Sequence, residues 1–208
     1  MAQFLNELNE AQRVAVEKID GPVMVIAGAG SGKTRVLTYR IAYLLDKGVD
    51  AFNILSLTFT NKAAREMKER EGRIVGDGEA KNLWMGTFHS VFAKILRIEA
   101  ERLGYPTNFT IYDADDSKKL ITTIIKEKQL DKDIYKAKSV SSRISSLKNN
   151  LITPKAYFQN GELQAQDSTA KMPMFGEIYQ AYTERCFRAG AMDFDDLLFK
   201  TNVLLKDH

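Results

Sequence analysis

One cysteine, Cys186, is all that the 208 residues contain, so no disulfide can form within the chain. With no secretory-type segment at the N-terminus, that predicts a reducing, cytoplasmic setting. No apolar run approaches the roughly 20 residues that cross a bilayer, and no membrane partner is predicted. Histidine is scarce too: His89 and His208 stand at no metal-ligand spacing from Cys186, so no zinc-type site is predicted. Internal repeats and low-complexity tracts are absent. At 44% hydrophobic residues the chain can bury a sizeable core, which argues against wholesale disorder. Charge of one sign is also in short supply, the net value being +3, but it is unevenly placed. Residues 117–155 hold ten Lys/Arg against three acids, so the rest of the chain is slightly acidic. Such a block is either a phosphate-backbone footprint or a solvated helix surface.

What is present begins with "VMVIAGAGSGKTRVL", residues 23–37. An apolar run (residues 22–27) reads as a short buried strand, and residues 34–45 have apolar positions at helical spacing. Between them, Gly28, Gly30 and Gly32 let successive backbone N–H groups turn toward anionic oxygens, and the following helix adds the positive end of its dipole. Lys33 can reach the β- and γ-phosphates of a nucleoside triphosphate, and the Thr34 hydroxyl is placed to ligate Mg²⁺. Ala27 stands where the strict motif has glycine, and Ala29 and Ser31 complete the loop. A second carboxylate for the metal, at the end of another apolar strand, is not found. Asp113 reads as a helix cap, and "MDFDDLLF" (192–199) has no apolar strand before it.

Strand-like residues 53–58 and 83–86 alternate with helix-like 62–74, the pattern of a parallel sheet with crossover helices. After Thr87 helix dominates. The expected helices run from Thr87 to about 103, then from Asp113, and over 140–149, 175–189 and 194–205. Residues 109–113 form a brief extended piece, and 159–173 read as a polar loop. Trp84 and Cys186 read as core residues. The fold class is therefore α/β, a P-loop parallel sheet with helices plus a mostly helical accessory subdomain. A boundary falls near residue 90, giving 1–90 as the nucleotide-binding core and 91–208 as the helical unit, whose C-terminal helix is a candidate to return to the core.

Several motifs taken together resemble the UvrD/PcrA/Rep group of superfamily 1 DNA helicases. "LNEAQRVAV" (8–16) is similar to its Q motif, and "AGAGSGKTR" (27–35) to its nucleotide loop. "LTFTNKAAREM" (57–67) resembles its motif Ia, "GTFHS" (86–90) a DNA-contacting motif, and "MDFDDLL" (192–198) a further block. The resemblance implies an RecA-like fold and roles for individual residues. Gln12 would select adenine, with surface helix glutamine as the bland alternative. Arg35 would stack on the adenine ring, against a solvated helix arginine. Phe59, Thr60, Asn61 and Lys62 would hold a DNA strand, against a core Phe59 with Thr60 as cap. Thr87, Phe88 and His89 would lie along the same sheet edge. The implied activity is an ATP- and Mg²⁺-dependent motor that walks 3′→5′ on single-stranded DNA and opens duplexes at single-strand/duplex junctions. The family's acidic metal motif and second motor unit are expected beyond His208, so the chain is expected to be an N-terminal fragment with little activity of its own. A small-molecule phosphotransferase and a non-catalytic nucleotide- and DNA-binding module are the readings from other classes.

Overall fold

Asn9 starts the first helix through a reciprocal cap. Its side chain accepts from the Gln12 N–H at 2.9 Å, while Gln12 Oε1 accepts from the Asn9 N–H at 3.2 Å. A computed structural model of the chain describes residues 3–28, 30–76 and 82–208. Helix α1 (Glu10–Glu17) lays Val16 against Leu5, Val36 and Tyr39, which joins it to α2 (Lys33–Asp46). The Arg40 guanidinium of α2 donates to the carbonyl of Ala15 at 2.8 Å and to that of Lys18, fastening the end of α1. Strands β1 (Leu55–Thr58) and β2 (Trp84–Thr87) pair in parallel, with Leu55 opposite Trp84 and Thr58 opposite Thr87. Parallel neighbours need a crossover, and α3 (Asn61–Val75) lies within it. Trp84 is half-buried. These elements form one compact unit, Met1–Val91.

The apolar run before the phosphate loop departs from expectation. Residues 22–27 form no strand, and Met24 and Ile26 are 83% and 88% exposed. A buried parallel strand needs ladder partners and cover on both faces. Here β1 pairs only with β2 among the described residues, and Val23 and Val25 border a cavity of about 280 Å³ beside α2. Apolar composition alone therefore does not bury this run.

Helix α4 (Phe88–Ile98) carries the chain into the second unit, Phe92–His208. The single helix expected to reach 103 is two pieces. The α-helix stops at Ile98, and a 3₁₀ turn (Ala100–Leu103) ends on Gly104 at φ +74°, a left-handed position that favours glycine. Strand β3 (Thr110–Tyr112) pairs in parallel with β4 (Ala191–Asp193). Between them run α5 (Ala114–Glu127), α6 (Ala137–Asn149), α7 (Pro154–Phe158), α8 (Gly161–Thr169) and α9 (Phe175–Arg188). Helix α10 (Phe194–Asp207) follows and packs on α6 and β4. Ile121 and Ile124 of α5, Ile144 and Leu147 of α6, and Phe175, Ile178 and Tyr182 of α9 share one core. Each such burial stabilises by about 1.5–3 kcal/mol relative to exposure. Cys186 lies in this core as expected, and burial pushes its thiol up to about 12.

Two further expectations fail in this unit. The polar segment 159–173 contains α8, a helix with hardly any apolar face. Its start is held by Asn160, whose side chain accepts from the N–H groups of Glu162 and Leu163 at 3.1 Å. Its inner side is held by Asp167, which is buried and accepts from Arg143 Nε at 3.1 Å and from the Tyr157 hydroxyl at 2.9 Å. A short strand, β4, does precede the acids of 192–199, three residues being too few to show a period. Asp193 is the N-cap of α10, accepting from the Asp196 N–H at 2.8 Å, as Asp113 is of α5.

Candidate nucleotide and DNA site

The phosphate loop leads directly into α2. Gly32 is the residue before the helix, at φ +86° in the left-handed region, and no side chain caps the helix start. The first N–H groups of α2 are thus presented without a side-chain acceptor, the donor set that an anion needs. A side chain at position 32 would be strained by that φ and would displace the Gln12 amide, its Cβ standing 2.8 Å from Nε2. Lys33 folds its ammonium onto the loop, donating to the carbonyls of Gly28 at 2.7 Å and Ala27 at 3.0 Å. Those bonds hold the charge where a phosphate oxygen would compete for it. Ser31 Oγ donates to the Gly28 carbonyl at 2.7 Å. Thr34 is exposed, with the side chain at the helix start. Gly30 takes φ +76°, and Ala29 lies outside the described residues. The donors present suit a polyphosphate, and Thr34 offers an oxygen of the kind Mg²⁺ takes. No cluster of three His, Cys, Asp or Glu that could hold a metal exists among the described residues.

Gln12 is more than a surface glutamine. Besides closing the cap on Asn9, its Nε2 donates to the Ser31 carbonyl at 3.1 Å, so α1 is tied to the loop itself. Arg35 is not simply solvated either. One guanidinium nitrogen lies 2.8 Å from Glu7, and its carbon stands 5.3 Å from the centre of the Tyr39 ring. The Tyr39 hydroxyl donates to the same Glu7 oxygen at 2.5 Å. Glu7 sits at the end of a 3₁₀ turn (Gln3–Glu7). The Tyr39 and Arg35 bonds hold its carboxyl below the ordinary glutamate range. Only a fold that brings residue 7 beside residues 35 and 39 could reveal it.

The two strand tips meet. Thr58 and Thr87 are opposite each other in the parallel ladder, so the residues after them emerge side by side. The Phe59 and Phe88 rings are 5.4 Å apart between centres, tilted by 41°. Phe59 is 89% exposed, which rules out the core alternative for it. Thr60 does act as a cap, accepting from the Ala63 N–H at 3.2 Å, and Thr87 accepts from the Ser90 N–H at 3.2 Å. Asn61 and Lys62 are exposed on the first turn of α3, and His89 is half-buried in the first turn of α4. A large aromatic ring left in solvent beside two helix starts is an arrangement suited to stacking on a base.

The basic block of the second unit is less free than its count implies. Lys148 is buried between Asp193 and Asp196, Arg143 is paired with Asp167, and Lys128 Nζ lies 2.7 Å from Glu177. Lys119, Lys126, Lys132, Lys136 and Lys138 are exposed. No helix among the described residues is long and apolar enough to cross a membrane.

Comparison with known proteins follows the same residues. A family model described as the UvrD/REP helicase N-terminal domain matches residues 8–208. The chain is similar to the ATP-dependent DNA helicase PcrA of Staphylococcus aureus (strain Mu50 / ATCC 700699), at 45% identity over 202 residues. It is 44% identical over 202 residues to the protein of that name from Staphylococcus epidermidis (strain ATCC 12228 / FDA PCI 1200). In each case 97% of this chain is matched but only 27% of the relative, so the chain spans about a quarter of the length of these relatives.

Proposed function

Since the chain belongs to the UvrD/REP helicase family, we propose that it is the N-terminal part of an ATP-driven DNA helicase. In this reading the first unit is a RecA-like P-loop core and the second an accessory subdomain whose exposed lysines face DNA. The whole protein is cytoplasmic and moves 3′→5′ along single strands toward duplex junctions. The supporting observation is that one compact unit carries both a phosphate loop with an uncapped helix behind it and an exposed Phe59 ring against Phe88 at two adjacent strand tips. Family membership leaves the phosphotransferase alternative without support.

The residues take distinct roles. The loop 27–34 wraps the triphosphate with backbone N–H groups, and Lys33 exchanges the carbonyls of Ala27 and Gly28 for phosphate oxygens. Thr34 would hold Mg²⁺, which when bound supplies charge neutralisation on the phosphates. Gln12 is placed to pair with the adenine edge through its second Nε2 proton. Arg35 offers its planar guanidinium to the ring. Phe59 and Phe88 stack on DNA bases while Thr60, Asn61, Lys62, Thr87 and His89 approach the sugar-phosphate strand.

Two variants of the full-length protein test this. Lys33→Ala is expected to lower DNA-stimulated ATP hydrolysis by about a hundredfold or more, because a charge held against the reacting phosphates is lost, while single-strand affinity measured by fluorescence anisotropy stays within about twofold. Phe59→Ala is expected to weaken single-strand binding by about 1–3 kcal/mol, the worth of one base–aromatic stack, with little change in ATP affinity. DNA binding indifferent to both nucleotide and Lys33, with no hydrolysis by the parent, would instead make the chain part of a non-catalytic module.

A further inference from the structure

The N-terminal 3₁₀ turn brings an acid to a place where the nucleotide reading needs a cation held still. Arg35 and Tyr39 stand one helical turn apart on α2, so their side chains share a face. The guanidinium carbon lies over the Tyr39 ring, 5.3 Å from its centre. Glu7 takes an edge of it at 2.8 Å and also receives the Tyr39 hydroxyl at 2.5 Å. Phe4, from the same turn, meets the Tyr39 ring edge-on at 5.8 Å between centres. The arginine therefore has ring and carboxylate contacts together, and its side chain is 42% exposed. Arg35 also borders a cavity of about 240 Å³ that Arg70 and Arg73 of α3 line with Thr38 and Tyr39. Of these three arginines, Arg35 is the one with a carboxylate partner among the described residues, Glu7.

We propose that Glu7 is a positioning residue for nucleotide-base recognition: with Tyr39 it holds the Arg35 guanidinium as a ready flat platform for the purine ring. This rests on the reading of Arg35 as the base contact. Glu7 itself touches no nucleotide. Its effect is that binding need not order a long flexible side chain at the moment the base arrives. The phosphates are gripped elsewhere, by the loop and Lys33, so the consequence is confined to the base.

The test measures binding of ATP and of inorganic tripolyphosphate, which has no base, to the full-length protein by titration calorimetry. Parent, Glu7→Ala, Glu7→Gln, Arg35→Ala and the Glu7→Ala/Arg35→Ala double variant are compared. Glu7→Ala is expected to weaken ATP by about two- to tenfold, the range spanned by ordering one rotamer-rich side chain, and to leave tripolyphosphate unchanged. Glu7→Gln, which keeps the shape and one acceptor, is expected to fall between it and the parent. The double variant is expected to bind ATP no worse than Arg35→Ala, because Glu7 acts only through that arginine. ATP affinity lost in Arg35→Ala but kept in Glu7→Ala overturns the proposal and leaves the function reading intact. ATP affinity kept in both overturns the base-contact reading and the proposal with it. Equal loss of ATP and tripolyphosphate in Glu7→Ala makes Glu7 a general structural residue and also overturns it.

Discussion

Lys148→Ala is expected to destabilise the second unit by about 3–5 kcal/mol, the cost of stripping one partner from a buried ion pair. Lys148 is 3% exposed, and its Nζ lies 2.7 Å from Asp193 Oδ2 and 2.9 Å from Asp196 Oδ2. Burial alone would lower its pKa, but the two facing carboxylates, Asp196 and then Asp193, outweigh that and hold it above the ordinary lysine range. The same Asp193 oxygen receives the Tyr182 hydroxyl at 2.8 Å, and that hydroxyl lies 3.0 Å from Ser117 Oγ. The network thus ties α5, α6, α9 and the start of α10 together. Without the ammonium, two carboxylates share a dry site and must take up protons. Asp193 is buried, which opposes ionisation, but Lys148 overrides this and holds it below the usual aspartate range. Its stability contribution is therefore present above the unfolded value of about 3.9 and lost as pH falls further. In Lys148→Ala the folded state binds protons on these carboxyls more tightly than the unfolded chain does, so the deficit is expected to be largest near neutral pH and to shrink as pH falls. Urea unfolding followed by far-UV circular dichroism measures the loss. Trp84, the chain's only tryptophan, reports on the first unit through its fluorescence and is expected not to shift. A Lys148→Ala midpoint equal to the parent's would show that the network carries no net stability. Replacing all three charges together, as Lys148→Met with Asp193→Asn and Asp196→Asn, is expected to recover most of the loss, since no charge is then left unpaired.

Glu71→Leu is expected to stabilise the first unit, and by more as the pH rises. Glu71 stands on the inner stripe of α3, four residues after Met67 and three before Ile74, so it occupies a core position. It is fully buried, and neither carboxylate oxygen has a hydrogen-bond partner among the described residues. Burial pushes its pKa up from 4.5 to about 8. The folded unit consequently keeps a proton that the unfolded chain has already released in that interval. By linkage, stability falls as pH increases from about 4.5 to about 8, by up to about 4–5 kcal/mol for a shift of this size. Leucine at the same place has nothing to ionise and supplies apolar contact with Met67 and Ile74. The expected result is a gain of about 3 kcal/mol or more at pH 8 that shrinks at pH 5, with a flatter stability curve between. Trp84 fluorescence in urea at several pH values measures it. A parent whose first unit becomes more stable from pH 5 to pH 8, or a Glu71→Leu variant weaker than the parent at pH 8, would refute this account.

These two sites were invisible in the sequence for the same reason. Lys148 reads as one more charge in the basic block 117–155, and nothing in "MKEREGR" (67–73) marks Glu71 as buried. Charge count carries no burial. Whether a lysine is solvated or sealed depends on which helix crosses it, and α10 crosses α6 some 45 residues further along the chain. The run 22–27 shows the reverse error: apolar residues read as buried are exposed because, among the described residues, no strand pairs with them. Helix α8 was missed because its fold-back onto Arg143 and Tyr157 is a tertiary contact and its own composition is polar.

What the chain determined by itself is local. Asn9, Thr60, Asp113 and Asp193 start their helices through bonds to N–H groups two or three residues ahead, and such bonds need no partner from elsewhere. The glycines of the phosphate loop, the strand–helix alternation and the motifs shared with the helicase family are likewise written in consecutive residues. The tertiary structure decided what lies across sequence distance: Glu7 on Arg35, Gln12 on Ser31, Phe59 against Phe88, and Lys148 between two aspartates. Hydrogen bonds within a turn follow from backbone geometry, whereas burial and ion pairing exist only after separate elements have packed and excluded water.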